Sequence, residues 1–85
     1  MKCRSVMMGK ITKEAFIRLC DKRMVNRNVP LNVRSLAIDI AYRHITKGQW
    51  GNGYPDEMYY TDGLVAIRYQ NGMVFHYDLI KGTWF

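Results

Sequence analysis

Leu64-Val65-Ala66-Ile67-Arg68-Tyr69-Gln70-Asn71-Gly72-Met73-Val74-Phe75-His76-Tyr77-Asp78-Leu79 is the stretch that decides the fold. Two runs rich in β-branched and aromatic residues flank an Asn-Gly pair, the strongest short-range signal for a β-hairpin. The pattern predicts a strand over 64–70, a two-residue type I′ turn at Asn71-Gly72 and a strand over 73–79. Upstream, Met58-Tyr59-Tyr60-Thr61 reads as a further strand ended by Asp62-Gly63; downstream, Lys81-Gly82 turns the chain into Thr83-Trp84-Phe85. Together these describe a C-terminal antiparallel β-meander of three to four strands.

Pairing about Asn71-Gly72 sets Arg68 opposite Phe75, Ala66 opposite Tyr77 and Leu64 opposite Leu79. Val65, Ile67, Tyr69, Val74, His76 and Asp78 then share the other face. Neither face is cleanly polar, so one must pack on a second layer and the other is a candidate contact surface.

That second layer comes from the first half of the chain. Thr12 reads as an N-cap, with Glu14 favourable to the dipole of the first turn and Ile11 and Phe16 at the hydrophobic-staple positions. Phe16, Leu19, Cys20 and Met24 follow at helical spacing, predicting a helix over 12–25 in which Glu14 and Arg18 form an i,i+4 pair. Asn26-Arg27-Asn28-Val29-Pro30 breaks it. A second helix is expected with Asn32 as cap, Leu31 and Leu36 as staple, and Gly48 as the stop. Its stripe of Val33, Leu36, Ala37, Ile40, Ala41 and His44 is widened by Ile38, Tyr42 and Ile45, as befits a central helix. The expected class is α+β, two N-terminal helices packed on the meander.

Eighty-five residues make one small domain, with residues 1–10 as a loose arm or short strand. The 48% hydrophobic content argues against disorder. No apolar run approaches the ~18 residues of a membrane span, and Gly9-Lys10 interrupts what would be a signal-peptide core, so a cytoplasmic protein is expected. Cys3 and Cys20 are too few for a disulfide framework; Cys20 reads as a small buried hydrophobe. With His44 and His76 they have no metal-ligand spacing, and there is no phosphate-cradling glycine loop, so neither metal nor cofactor is expected.

The net charge of +6 is unevenly spread. Residues 1–47 hold eleven Lys/Arg against three acids, whereas residues 48–85 hold two against four. A basic helical half facing a mildly acidic sheet half points to an anionic partner, either nucleic acid or an acidic protein surface. Lys22, Arg23, Arg27 and Arg34 cluster around the inter-helix connector as a candidate anion site. Cations at a helix C-terminus suit the dipole without any function, which covers Lys22 and Arg23. Arg34, near a helix start, opposes the dipole; a bound phosphate or a salt bridge to an acid of the sheet half explains it equally well.

Two further constellations stand out. Tyr59, Tyr60, Tyr69, Phe75, Tyr77 and Trp84 on strands, with Trp50 and Tyr54 on a glycine-rich loop, form a candidate stacking platform, although aromatics also serve sheets as core. Trp50, Tyr54, Tyr69 and His76 are the candidate partner contacts, with Trp50 and Tyr54 presented by a mobile loop. His76, Tyr69 and Asp78, on one face in the expected register, are the candidate catalytic set of a small ribonuclease toxin. The leading expectation is a non-catalytic binding or regulatory module, inhibitory in character and capable of homodimerising through the second sheet face. The ribonuclease and a purely structural subunit are the alternatives.

Overall fold

The computed structural model describes residues 9–85. Cys3 and most of the expected arm over 1–10 lie outside the described residues. The elements in chain order are α1 (Lys13–Arg23), β1 (Val25–Arg27), α2 (Leu31–Lys47), β2 (Pro55–Thr61), β3 (Leu64–Tyr69), β4 (Val74–Asp78) and β5 (Thr83–Trp84). The class is α+β: two helices and a five-stranded mixed sheet ordered β1-β2-β3-β4-β5 contribute to one hydrophobic core.

The first helix starts as its sequence dictates. Thr12 is extended and its Oγ1 accepts from the Ala15 N–H at 3.2 Å. Phe16 is fully buried and Ile11 packs against the core, as the staple pattern requires. The helix closes at Arg23 because Met24 turns extended, its N–H still bonded to the Cys20 carbonyl. The Glu14–Arg18 pair does not form; Lys13 instead reaches Asp39 of α2 at 2.7 Å.

The connector holds a strand that the sequence does not announce. Val25–Arg27 pairs in parallel with Glu57–Tyr59, so the sheet is mixed and β1-α2-β2 is a crossover unit. Asn26 braces the turn into α2, its side chain accepting from the Val29 N–H and donating to the Val29 carbonyl, both at 3.0 Å. Asn28, at φ 66, completes the reversal.

The second helix corrects two expectations. Its N-cap is Pro30, with φ −59 and no side-chain cap bond, and Asn32 lies inside the first turn. The Leu31–Leu36 staple is absent, because both side chains are exposed. A proline fixes φ near the helical value and turns the chain without a capping oxygen. Ala37, Ile38, Ile40, Ala41 and Ile45 are buried against the sheet.

The hairpin register also differs. Tyr69 N–H bonds to the Met73 carbonyl and Gly72 N–H to the Tyr69 carbonyl, closing a three-residue loop, Gln70-Asn71-Gly72, with Gly72 at φ 91. The two-residue type I′ turn is at Asp62-Gly63 instead, where both φ values are positive (50 and 78). The pairs are therefore Arg68↔Val74, Ile67↔Phe75, Ala66↔His76 and Val65↔Tyr77, one residue off the expected set. A one-residue slip exchanges the faces of β4 relative to β3. Val65, Ile67, Tyr69, Phe75 and Tyr77 face the helices with Met58, while Arg68, Ala66, Val74 and His76 occupy the outer face with Tyr59.

Candidate functional site

The catalytic set expected from sequence does not assemble. Tyr69 is fully buried on the helix-facing side, whereas His76 and Asp78 belong to the outer face. The Asp78 carboxylate is occupied in the β4–β5 turn, where Oδ1 accepts from the N–H groups of Ile80 (3.0 Å) and Lys81 (3.1 Å). His76 stacks on Phe85, with ring centroids 5.3 Å apart. Arg68, expected across the sheet from His76, shares its face but is bound to Asp56 and Glu57.

The stacking platform divides in the same way. Tyr69, Phe75, Tyr77 and Trp84 turn inward and Tyr59 outward, so the aromatics do not form one surface. The glycine loop half-buries Trp50 instead of presenting it freely to solvent. Trp50 packs edge-on against Tyr69 (4.7 Å) and His44 (4.9 Å), and its indole N–H donates to the Gly53 carbonyl. The loop is laced to the β3–β4 hairpin by Gln70 N–H to the Tyr54 carbonyl, Asn71 N–H to the Asn52 carbonyl, and the Asn71 and Asn52 side chains at 2.7 Å. Both loops are rich in turn residues whose backbone groups need partners, and here they satisfy one another.

Inside this layer His44 occupies an aromatic box. Trp84 stacks on the imidazole at 4.7 Å and 20°, while Phe75 and Trp50 meet it edge-on. Nδ1 lies 2.8 Å from the Tyr77 hydroxyl, itself 2.5 Å from the Tyr69 hydroxyl. One proton arrangement uses both hydroxyl donors: Tyr69 donates to Tyr77, Tyr77 donates to Nδ1, and the imidazole is the neutral Nε2–H tautomer. The reverse order would leave the Tyr69 proton without an acceptor in a buried site. Burial lowers the His44 pKa to about 4, in keeping with a ring that accepts rather than donates at Nδ1. Burial also raises the Tyr69 and Tyr77 hydroxyls above their ordinary value and pushes the Cys20 thiol up to about 12, so that cysteine stays protonated and unreactive.

The cations separate into two populations. Arg34 is inside α2, four residues from its Pro30 cap, and its Nη2 lies 2.9 Å from Asp21 Oδ1. The salt bridge explains Arg34, and its acid comes from α1 rather than from the sheet. Arg27 pairs with Glu57 at 2.6 Å, and Arg68 completes a row of alternating charge with Glu57 and Asp56. The sheet's charge is thus largely balanced. Arg18, Lys22, Arg23, Arg43 and Lys47 are all exposed on the helices, and no carboxylate among the described residues pairs with any of them.

Two grooves border these free cations. One, of about 420 Å³, lies between Lys22, Arg23, Tyr54, Pro55, Asp56 and Gln70, with the Arg23 guanidinium 4.9 Å from the Tyr54 ring centroid. The other, about 330 Å³, lies between Arg43 and Lys47 of α2 and Gly82, Thr83 and Trp84 of the β4–β5 connection. Of the four cations singled out by sequence, Lys22 and Arg23 meet no carboxylate among the described residues, while Arg27 and Arg34 are bound to acids. Arg43 and Lys47 were missed because each falls on the polar strip or last turn of α2, where a cation needs no special account. Among the described residues no helix is long and apolar enough to cross a membrane, and no cluster of three potential metal ligands occurs.

The chain matches no protein-family model, no curated protein and no solved structure.

Proposed function

We propose that this protein is a non-catalytic binding module that engages an anionic macromolecule through its helical layer. The observation that carries the reading is the segregation of charge. Cations that meet carboxylates are held in ion pairs, and five exposed cations of α1 and α2 are left without one among the described residues. Lys22, Arg23 and Lys47 suit the helix C-termini they occupy, but Arg18 and Arg43 do not, and gathering all five on one layer adds a like-charge repulsion that an anionic partner would relieve. Neither histidine supports catalysis: His44 is an acceptor inside an aromatic box and His76 stacks on a terminal phenylalanine.

The test is binding of labelled single-stranded RNA and of polyglutamate, followed by anisotropy at about 50 mM and about 200 mM salt. Affinity for at least one polyanion should fall steeply between the two conditions, and Lys22→Glu with Arg23→Glu should weaken it at both. Absence of binding to either polyanion at low salt would overturn the proposal.

A further inference from the structure

We infer that the groove between α2 and the β4–β5 connection is a nucleotide-binding subsite for single-stranded nucleic acid, with Arg43 and Lys47 taking the phosphate and Trp84 the base. The inference deepens the anionic-partner reading and rests on it.

Three features converge there. Arg43 and Lys47 are an i,i+4 pair of like charge on one helix face, an arrangement that disfavours the isolated helix by ~0.2–0.5 kcal/mol. Both are exposed and neither meets a carboxylate of the described residues, so two unneutralised positive charges border a cavity of about 330 Å³. The backbone then makes room for one of them. A Cβ at Gly82, whose φ is 69, would come within 3.2 Å of Arg43 Nη2. The turn thus brings its backbone close under the guanidinium, while the hydroxyl-bearing Thr83 lines the same wall.

The third feature is the indole. One face of Trp84 stacks on His44, and the Lys47 ammonium lies 5.6 Å from the ring centroid. A cation over an indole is a modest attraction at an exposed site, readily exchanged for a flat ring of larger area. A nucleobase stacking there displaces the ammonium by a few ångströms, and the freed charge meets the phosphate beside Arg43. Base–aromatic stacking joined to backbone charge is the general mode of single-strand recognition. An acidic peptide would satisfy the two cations and make no use of the indole, which favours nucleic acid as the partner.

The two tryptophans make the wild-type chain its own reporter. In a ¹⁵N–¹H spectrum titrated with a single-stranded thymidine oligomer, the Trp84 indole signal should shift while that of Trp50, outside this groove and with its N–H donated to the Gly53 carbonyl, stays put. Arg43→Glu with Lys47→Glu should weaken oligomer binding by at least about tenfold at low salt. Oligomer binding with an unmoved Trp84 signal and an unaffected double variant would overturn the subsite and leave the anionic-partner reading standing. Binding of polyglutamate but not of the oligomer would overturn the nucleic-acid assignment alone. Binding of neither would overturn both.

Discussion

The hydroxyl of Tyr77 donates to Nδ1 of His44 across 2.8 Å, joining strand β4 to helix α2 at the centre of the core. The same hydroxyl accepts from Tyr69 on β3, so three side chains from three elements hold one another's polar atoms. Tyr77 is the only member that is both donor and acceptor in this chain. Tyr77→Phe should therefore destabilise the fold by about 1–3 kcal/mol, since it strands the Tyr69 proton and the imidazole nitrogen together. Tyr69→Phe should cost less, because it leaves the Tyr77–His44 bond intact. The double variant should fall short of the sum of the two single effects, as coupled groups do. Urea denaturation of the three variants measures all of this; full additivity would refute the chain.

The same geometry gives a pH dependence whose sign is fixed. Burial puts the folded His44 near pKa 4, below its unfolded value of about 6.5. Between those values the unfolded chain binds the proton and the folded one does not, so stability rises with pH across the window. The contribution is whole above about pH 6.5 and is lost as pH falls toward 4, a loss on the order of 2 kcal/mol after discounting for the ring's partial contact with solvent. His44→Gln retains an acceptor for Tyr77 and cannot titrate. Its urea midpoint should lose less than that of the wild type between pH 7 and pH 4.5, and parallel pH profiles would contradict the assignment.

These two predictions depend on a register that the sequence states ambiguously. Asn-Gly serves a two-residue type I′ turn, but glycine in the left-handed region serves a three-residue loop equally well, and the choice moves every β4 side chain to the opposite face. The decision is made at a distance, by Gln70 and Asn71 bonding to the loop at Asn52 and Tyr54. The same holds for β1: Val25-Asn26-Arg27 has no alternation and becomes a strand only because β2 lies beside it. Helix α1 was legible because its cap and staple are local. The start of α2 was not, because a proline cap leaves no side-chain signature and Asn32 mimics one. The charge asymmetry was legible as a total, whereas which cations remain free depends on pairings thirty residues apart, such as Arg27 with Glu57.

Arg34 bears on that last point. Its side chain is only 15% exposed and its guanidinium meets Asp21 of the neighbouring helix. Arg34→Glu would set two carboxylates against each other at the α1–α2 contact, one of them largely withdrawn from water. A loss of about 1–3 kcal/mol is expected, with partial recovery when Asp21→Lys is added to restore an opposite-charge pair. Arg27→Glu should be milder: the Arg27 side chain is 62% exposed, and Glu57, although only 17% exposed, keeps Arg68 at 3.2 Å as a second partner. Equal melting temperatures for Arg34→Glu and wild type would remove Arg34 from the structural account and return it to the anion site.

Gly53 ties the glycine loop to the hairpin by having no side chain. Its φ is 82, and a Cβ there would lie 2.5 Å from Oε1 and 2.7 Å from Cβ of Gln70. That Oε1 accepts from the Tyr54 N–H at 3.3 Å, so the close approach is part of the lacing between the two loops. Gly53→Ala should cost about 2–3 kcal/mol, of which about 1–2 is backbone strain and the remainder the collision with Gln70. Gln70→Gly removes all three obstructing atoms, Oε1, Cδ and Cβ, at the expense of one exposed hydrogen bond. In that background the penalty for Gly53→Ala should shrink to the strain alone. Paired denaturation curves decide it: an undiminished penalty would mean that the collision with Gln70 plays no part, and a vanishing one that the left-handed backbone does not.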